Sequence, residues 1–289
     1  MKIQKTTIIF LLLLSFQNIV FAQNAKREWS RILKSCGSTQ LFGNETLFFG
    51  PSNTIGIGSV WRKGDDKSYN ARFELSDIIT DSVVIKKVIK YGQKSNQCST
   101  VRNVTWSAQI SFPFLGSIFG QTGLGAEFHK AKRTTISVDN LALDVIKEVP
   151  FEVALKSIAA KDPKNEYLLD IINNPGRLIV TKAYRLTGLT VKLDYDPKDL
   201  DSLKQKYPNG GSITIGGDKG IKLGFNYSTT SEVTIKLPAE IYIAGEFSKL
   251  TANGTINLND SANIGFDLTP IKLQAGEKIG KLELLKKSQ

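Results

Sequence analysis

From Gly210 onward, the apolar residues of this 289-residue chain keep to alternate positions. Ile213 and Ile215, then Leu223, Phe225 and Tyr227, then Val233, Ile235 and Leu237 all fall on odd numbers. A side-chain period of two belongs to a strand with one buried face, so a helical C-terminal third is excluded. Further apolar runs at 240–247, 253–259, 263–273 and 279–285 are separated by Gly, Asn, Asp and Pro. Connections that short leave no room for βαβ crossovers and predict antiparallel strands joined by turns.

Upstream the periods mix. Residues 25–35 begin a pattern that places Trp29, Ile32, Leu33 and Cys36 on one helical face, with Asn24 as cap. Tyr69, Ala71, Phe73 and Leu75 alternate as a strand. Residues 81–90 set Val84, Ile85, Val88 and Ile89 at helical spacing, but these β-branched side chains favour strands, and both states stay open. Pro150 opens a helix with Phe151, Ala154, Leu155 and Ile158 on one face. Asp162-Pro163 starts another, with Leu168, Ile171 and Ile172 inward and Asn173-Asn174-Pro175 ending it. Strands are expected at 177–184 and 188–195, then a short helix capped by Asp196, with Pro197 first and its end near Lys206. The expected class is α+β: antiparallel and β-rich, with a few short helices in the N-terminal and middle regions and an all-β C-terminal third. A division into two units, if present, is expected near 160–210.

One stretch repeats. Without a gap, "LGAEFHKAKRTTISV" at 124–138 lies over "LGFNYSTTSEVTIKL" at 223–237, an offset of 99 residues that keeps the parity of the apolar positions. A shorter echo of residues 123–130 sits at 56–63. The likeness suggests one strand unit used more than once. It also bears on "FPFLGSIFGQTGLGAEF" at 112–128, whose Gly120 and Gly125 have the separation of a phosphate-binding loop. Ala126 and Glu127 stand where that loop needs Lys and Ser or Thr, and the alternation that follows offers no helix N-terminus, so nucleotide binding is excluded.

The same region suggests a contact surface. Val104, Trp106, Ala108, Ile110 and Phe112 alternate with polar residues, and Leu124, Ala126 and Phe128 resume the pattern. Two strands of about nine residues joined by an apolar tip have the length of a membrane-spanning hairpin. A hairpin lying on a soluble core has the same pattern. In either case Phe112, Phe114, Leu115, Ile118 and Phe119 are the candidate membrane or partner contacts.

The N-terminus reads as a targeting segment. Lys2 and Lys5 precede the apolar run Ile8–Phe16, and Val20-Phe21-Ala22 suits a signal peptidase, so residues 1–22 are expected to be cleaved. The mature domain would span 23–289 and be exported, to the periplasm or outside the cell, with peripheral contact to a membrane. In an oxidising compartment the chain's two cysteines, Cys36 and Cys98, are the expected disulfide. Such a bridge closes a loop of roughly 60 residues and constrains the unfolded chain by about 4 kcal/mol.

Catalytic and metal chemistries find little footing. His129 is the only histidine, and Glu127–Lys130 alternate as a half-exposed strand that puts it on the polar side. Histidine-rich zinc sites are thereby excluded, and no acid, base and nucleophile set stands out. Asp194, Asp196, Asp199 and Asp201 are dense enough for calcium, but an EF-hand loop needs Gly and Glu where Asp199 and Gln205 stand. No cofactor and no metal are expected. The formal charge is +11, and removal of residues 1–22 with their two lysines lowers it to about +9. A basic exported protein is drawn to anionic surfaces, while scattered lysines without a nucleic-acid motif give no reason to expect nucleic acid. The residues therefore favour a non-catalytic binding or structural protein that meets an unknown protein or an anionic envelope or lipid surface. The alternative is a membrane-interacting or pore-forming protein using the hairpin at 104–130.

Overall fold

The computed structural model describes residues 36, 46–52, 55–64, 68–97, 130–174, 177–215, 221–236, 240–253, 265–272 and 278–279. In chain order their elements are β1 (Thr46–Ser52), β2 (Val60–Lys63), β3 (Ser68–Phe73), α1 (Leu75–Ile78), α2 (Ser82–Val88), β4 (Ile89–Gln97), β5 (Arg133–Ser137), β6 (Asn140–Ile146), α3 (Glu148–Lys161), α4 (Glu166–Asn173), β7 (Arg177–Thr187), β8 (Thr190–Asp194), α5 (Pro197–Lys206), β9 (Gly211–Ile215), β10 (Ile221–Tyr227), β11 (Glu232–Lys236), β12 (Ile241–Asn253), β13 (Gly265–Pro270) and β14 (Lys278–Ile279). The fold is α+β and rich in antiparallel sheet. The chain divides into two compact units: Met1–Leu41, Gln97–Asn140 and Thr187–Glu240 in one, Phe42–Asn96, Leu141–Leu186 and Ile241–Gln289 in the other.

The first unit holds a five-stranded sheet in the order β5-β8-β11-β10-β9, antiparallel throughout. Alternation puts Ile136, Val191, Leu193, Phe225, Val233 and Ile235 in its core, as do Leu200 and Leu203 of α5. Tyr207, just past α5, meets Phe225 edge-on with ring centroids 5.7 Å apart. The Tyr227 hydroxyl donates to the Tyr207 carbonyl at 2.7 Å and ties the end of that helix to β10. Asp196 is the N-cap residue and Pro197 the first helical residue, as the sequence predicts, but the Asp196 carboxylate makes no capping bond. It pairs with Lys132 instead.

The 99-residue offset reappears as geometry. On one side of β8, Arg133, Thr134, Thr135, Ile136 and Ser137 face Asp194, Leu193, Lys192, Val191 and Thr190. On its other side the same five residues face Glu232, Val233, Thr234, Ile235 and Lys236. Each β5 residue and its counterpart 99 positions on thus flank one β8 residue in the same register. The other half of the likeness, from residue 124 to 129, lies outside the described residues.

The second unit carries a nine-stranded sheet. Its main path is β1-β12-β7-β2-β3-β14, with β13 beside β12 and with β6 between β4 and β7. Among the described registers, the two-residue pairing of β14 on β3 is parallel, an exception to the antiparallel pattern that the turns predict. Both faces of this sheet are buried. Val60, Phe73, Ile146, Ile179, Leu250 and Phe266 join one core with Phe151, Ala154 and Leu155 of α3 and with Leu168 and Ile171 of α4. Trp61, Tyr69, Ala71, Leu178, Val180 and Phe247 form a second core. Neighbours such as Val60 and Trp61, or Leu178 and Ile179, enter different cores because successive strand side chains point to opposite faces. In the second core Trp61 meets Phe247 edge-on at 5.4 Å, and its indole N–H donates to the Ser59 hydroxyl at 2.8 Å. Gly58 turns the chain into β2 with φ +82°, and a Cβ there would press into the Leu75 side chain.

Helix boundaries follow the caps. Asp81 accepts from the Val83 N–H at 2.8 Å, which resolves residues 81–90 into helix α2 followed by strand β4 from Ile89. Helix α3 begins at Glu148, two residues before Pro150. The second helix starts at Glu166 rather than at Asp162-Pro163, because Asp162 closes α3 with its N–H on the Ile158 carbonyl, and Asn165 supplies the new cap. Asn165 accepts from the Leu168 N–H at 3.0 Å. Arg177 of β7 then clamps Asp170 of α4 through Nε at 2.5 Å and Nη2 at 2.6 Å, fixing α4 to the sheet. Strand β12 continues without a break from the expected run at 240–247 to Asn253. The expected helix at 25–35 and all of the hairpin at 104–130 but Lys130, its tip included, lie outside the described residues.

Leu155 is fully buried in α3, whereas Val153 on the same helix is 60% exposed. Leu155→Ala is expected to cost about 2–5 kcal/mol in a urea melt followed by circular dichroism, and Val153→Ala less than about 0.5 kcal/mol.

Candidate functional site

None of the predicted contact residues Phe112, Phe114, Leu115, Ile118 and Phe119 is among the described residues. Cys36 is described and buried, 1% exposed; Cys98 is not described. Two other places in the second unit gather chemistry: an apolar trough between α2 and α3, and a buried polar cluster on the sheet.

The trough follows from how two helices are written. In α3, Phe151, Ala154, Leu155 and Ala159 face the core. Val149 and Val153 fall on the opposite side, 68% and 60% exposed, so the helix is apolar on two sides. In α2, Val88 is buried and Val84 and Ile85 pack partly on the core, while Val83 is 59% exposed. Between them lies a cavity of about 540 Å³, lined by Ile78, Ile79, Val84, Val88, Pro150, Val153, Ala154 and Ile158. Its polar lining comes from Thr80, Asp81, Lys87, Ser157, Lys161, Asp162 and Asn165. Lys86 and Lys87 occupy the last turn of α2, and Lys161 that of α3, where cations suit the helix dipoles. The neighbouring Lys156 is committed to Glu152 at 2.8 Å, one helical turn away. Its hydrogen bond and charge hold the Glu152 carboxyl below the usual range.

The second cluster centres on Asp144, which is 0% exposed. It projects from β6, a lone acid within the run Leu141–Ile146. Its Oδ1 accepts from the Gly92 N–H of β4 at 2.7 Å and from Arg185 Nη2 of β7 at 3.1 Å. Its Oδ2 accepts from Arg185 Nε and from the Tyr242 hydroxyl of β12, each at 2.7 Å. Gly92 has φ +62°, the left-handed backbone that glycine adopts without cost. Arg185 also lies 5.9 Å from the ring centre of Tyr91. Burial, then the hydrogen bond to Asp144, pushes the Tyr242 hydroxyl far above its ordinary pKa. Burial and the Asp144 charge raise Tyr91 as well. Every lone-pair direction of the carboxylate is taken by the protein's own donors, so this cluster braces the sheet and offers no vacancy to a substrate. Nearby, Glu246 accepts from Lys182 at 2.7 Å and from Tyr184 at 3.3 Å. Burial, and after it the Glu246 charge, pushes Tyr184 up to about 12.

Among the described residues, no three His, Cys, Asp or Glu side chains come together in a way that could hold a metal ion. The dense aspartates at 194–201 are included in that statement. No described helix is long and apolar enough to cross a membrane. Sequence spacing marks the inward face of α3 but not Val149 and Val153, which lie outside that stripe on either side of Glu152. It also passed over Asp144, whose signal was a single charge within a buried strand.

No protein-family model and no curated protein matches the chain. Seven solved chains do. Among them is a bacterial gasdermin from Bradyrhizobium tropiciagri, 10% identical, with a TM-score of 0.40, covering 82% of this chain and 91% of that one. So loose a superposition establishes neither fold nor function.

Unfolding exposes Tyr184 and lets it ionise near 10, while the folded form holds its proton to about 12. The folded state therefore binds more protons across that window, and stability falls as pH rises from 10 to 12. Urea midpoints measured across this range are expected to drop, and to drop less steeply in Tyr184→Phe.

Proposed function

We propose that this chain is an exported, non-catalytic binding protein that docks on anionic lipid surfaces through the face formed by α2 and α3. The observation that carries the reading is the exposure of Val83 on the helix that ends in Lys86 and Lys87, and of Val149 and Val153 on the helix that ends in Lys161. Apolar side chains that enter the head-group region, next to cations that meet its negative potential, are the two requirements of peripheral membrane binding. The net positive charge of the whole chain acts in the same direction. A non-catalytic role is supported by the buried Asp144 and the half-buried Asp170 and Glu246, since all three are engaged by the protein's own donors. Export rests on the leader-like residues 1–22, and the Cys36–Cys98 bridge on the absence of a free cysteine among the described residues.

Co-sedimentation with vesicles tests the reading. Binding is expected with phosphatidylglycerol-containing vesicles and not with pure phosphatidylcholine. Lys86→Gln and Lys87→Gln should each weaken it by about fivefold. Val149→Asp with Val153→Asp should abolish it while leaving the circular dichroism spectrum unchanged. Equal binding to neutral vesicles, or full binding by the valine variant, would overturn the reading. Dye leakage from the same vesicles separates docking, which requires none, from insertion of the hairpin at 104–130, which requires it.

The bridge has its own readout. Iodoacetamide is expected to modify the purified, exported protein at Cys36 and Cys98 only after reduction. Modification without reductant would show free thiols.

A further inference from the structure

The 99-residue repeat is matched by strand pairing on one side only. Among the described residues, β11 is paired along both edges, by β8 and by β10, whereas its counterpart β5 is paired by β8 alone. Yet the likeness runs past β5 into the residues before it. Leu124, Ala126 and Phe128 stand 99 positions before Leu223, Phe225 and Tyr227, with Gly125 before Gly224 and Glu127 before Asn226. These counterparts belong to β10, the strand that covers the outer edge of β11.

The approach to each strand is alike as well. Residues 228–231 join β10 to β11, and the Ser228 N–H closes their turn on the Glu232 carbonyl at 3.0 Å. Just before β11, the Ser231 carbonyl accepts from the Tyr195 N–H at 2.8 Å, and just before β5, the Lys132 N–H donates to the Asp194 carbonyl at 2.7 Å. Both approaches are thus held at the same end of β8. A strand edge presents a row of backbone donors and acceptors, and a partner one short turn away reaches them with the least loss of chain entropy.

We propose that the outer edge of β5 is an interaction surface for the chain's own residues 124–128, paired antiparallel in the register that β10 keeps on β11. That register sets Gly224 against Lys236, Phe225 against Ile235, Asn226 against Thr234 and Tyr227 against Val233. Moved by the offset, it sets Gly125 against Ser137, Ala126 against Ile136, Glu127 against Thr135 and Phe128 against Thr134. Ala126 and Phe128 then share the face on which Thr134 and Ile136 are buried, and Glu127 shares the partly exposed face of Thr135 and Ser137. A slip of one residue would turn Glu127 inward. The second arm of the apolar stretch at 104–130 is thereby held by protein rather than by lipid. The inference is independent of the lipid-docking reading, since α2 and α3 belong to the other unit.

Cysteine pairs in the full mature chain test it. Directly opposed residues of two strands have Cα atoms up to about 5.5 Å apart, within disulfide reach, and diagonal ones about 7–8 Å apart, outside it. After mild oxidation, Glu127→Cys with Thr135→Cys should link within one chain, at a yield within about twofold of Asn226→Cys with Thr234→Cys, the corresponding pair of β10 and β11. Glu127→Cys with Ser137→Cys should link at least about fivefold less. Peptide mapping tells these links from any at Cys36 and Cys98. If the 226–234 pair links and the 127–135 pair does not, or if the 127–137 pair links as well as it does, the inference is overturned. Links found only between two chains overturn it too, in favour of pairing between copies. Should the substitutions disturb folding, or the 226–234 pair itself fail to link, amide hydrogen exchange in the wild-type chain decides. Residues 125–128 are expected to exchange at least about tenfold more slowly than unfolded chain, and unprotected exchange throughout them overturns the pairing.

Discussion

The second unit depends on a charge that has no access to water. Asp144 draws donors from three other strands: Gly92 of β4, Arg185 of β7 and Tyr242 of β12. Desolvating a carboxylate and a guanidinium costs several kcal/mol per ion, and the pair repays this only where geometry is good and the remaining lone pairs are filled. Here both conditions are met, since Arg185 engages both oxygens and two further donors complete the set. Loss of one partner from such a pair costs about 3–5 kcal/mol, comparable to the net stability of a small domain. Whatever register the strands explore while folding, this arrangement is satisfied in one of them, so the cluster serves specificity as well as stability.

Around that brace, the sheet is buried on both faces, and the helices follow from that. With Trp61, Tyr69 and Phe247 filling one core, the other face needs a cover, and α3 and α4 supply it through Phe151, Leu155, Leu168 and Ile171. The bidentate Arg177–Asp170 contact fixes α4 to β7 at the point where the chain leaves the helix for the sheet. Helix α3, held through Phe151, Ala154 and Leu155 in the core, leaves Val149 and Val153 exposed on its other side. The trough is therefore a by-product of how the core is closed, available for use because α2 stops short at Val88 beside it.

Much of the fold was legible in the sequence because it is written in periods. The odd-numbered apolar residues from Ile213 onward, the strand through Tyr69 and Ala71, and the inward face of α3 are each set by side-chain direction, which sequence spacing records directly. The 99-residue offset was legible for the same reason, and β5 and β11 keep it in register on the two sides of β8. What spacing does not record is competition for backbone groups. Residues 81–90 were ambiguous until the Asp81 cap decided for helix, and α4 started late because Asp162 was already closing α3. Strand order was also illegible, so neither the parallel pairing of β14 nor the convergence on Asp144 followed from local pattern. The candidate site fell in the same gap: a trough is a property of two helices placed side by side, and neither announces it alone.

The exposed valines sharpen the functional argument because they contribute little to the fold. A β-branched residue loses side-chain freedom in a helix, and at 60–68% exposure Val149 and Val153 recover little of that through burial. A glutamate or lysine at either position would improve both helix propensity and solubility. Of the valines on these two helices, Val84, Val88 and Val153 line the cavity between them, together with Lys87, Lys161, Asp81 and Asp162. Under the proposed function, the complement of the α2–α3 face is an anionic lipid surface.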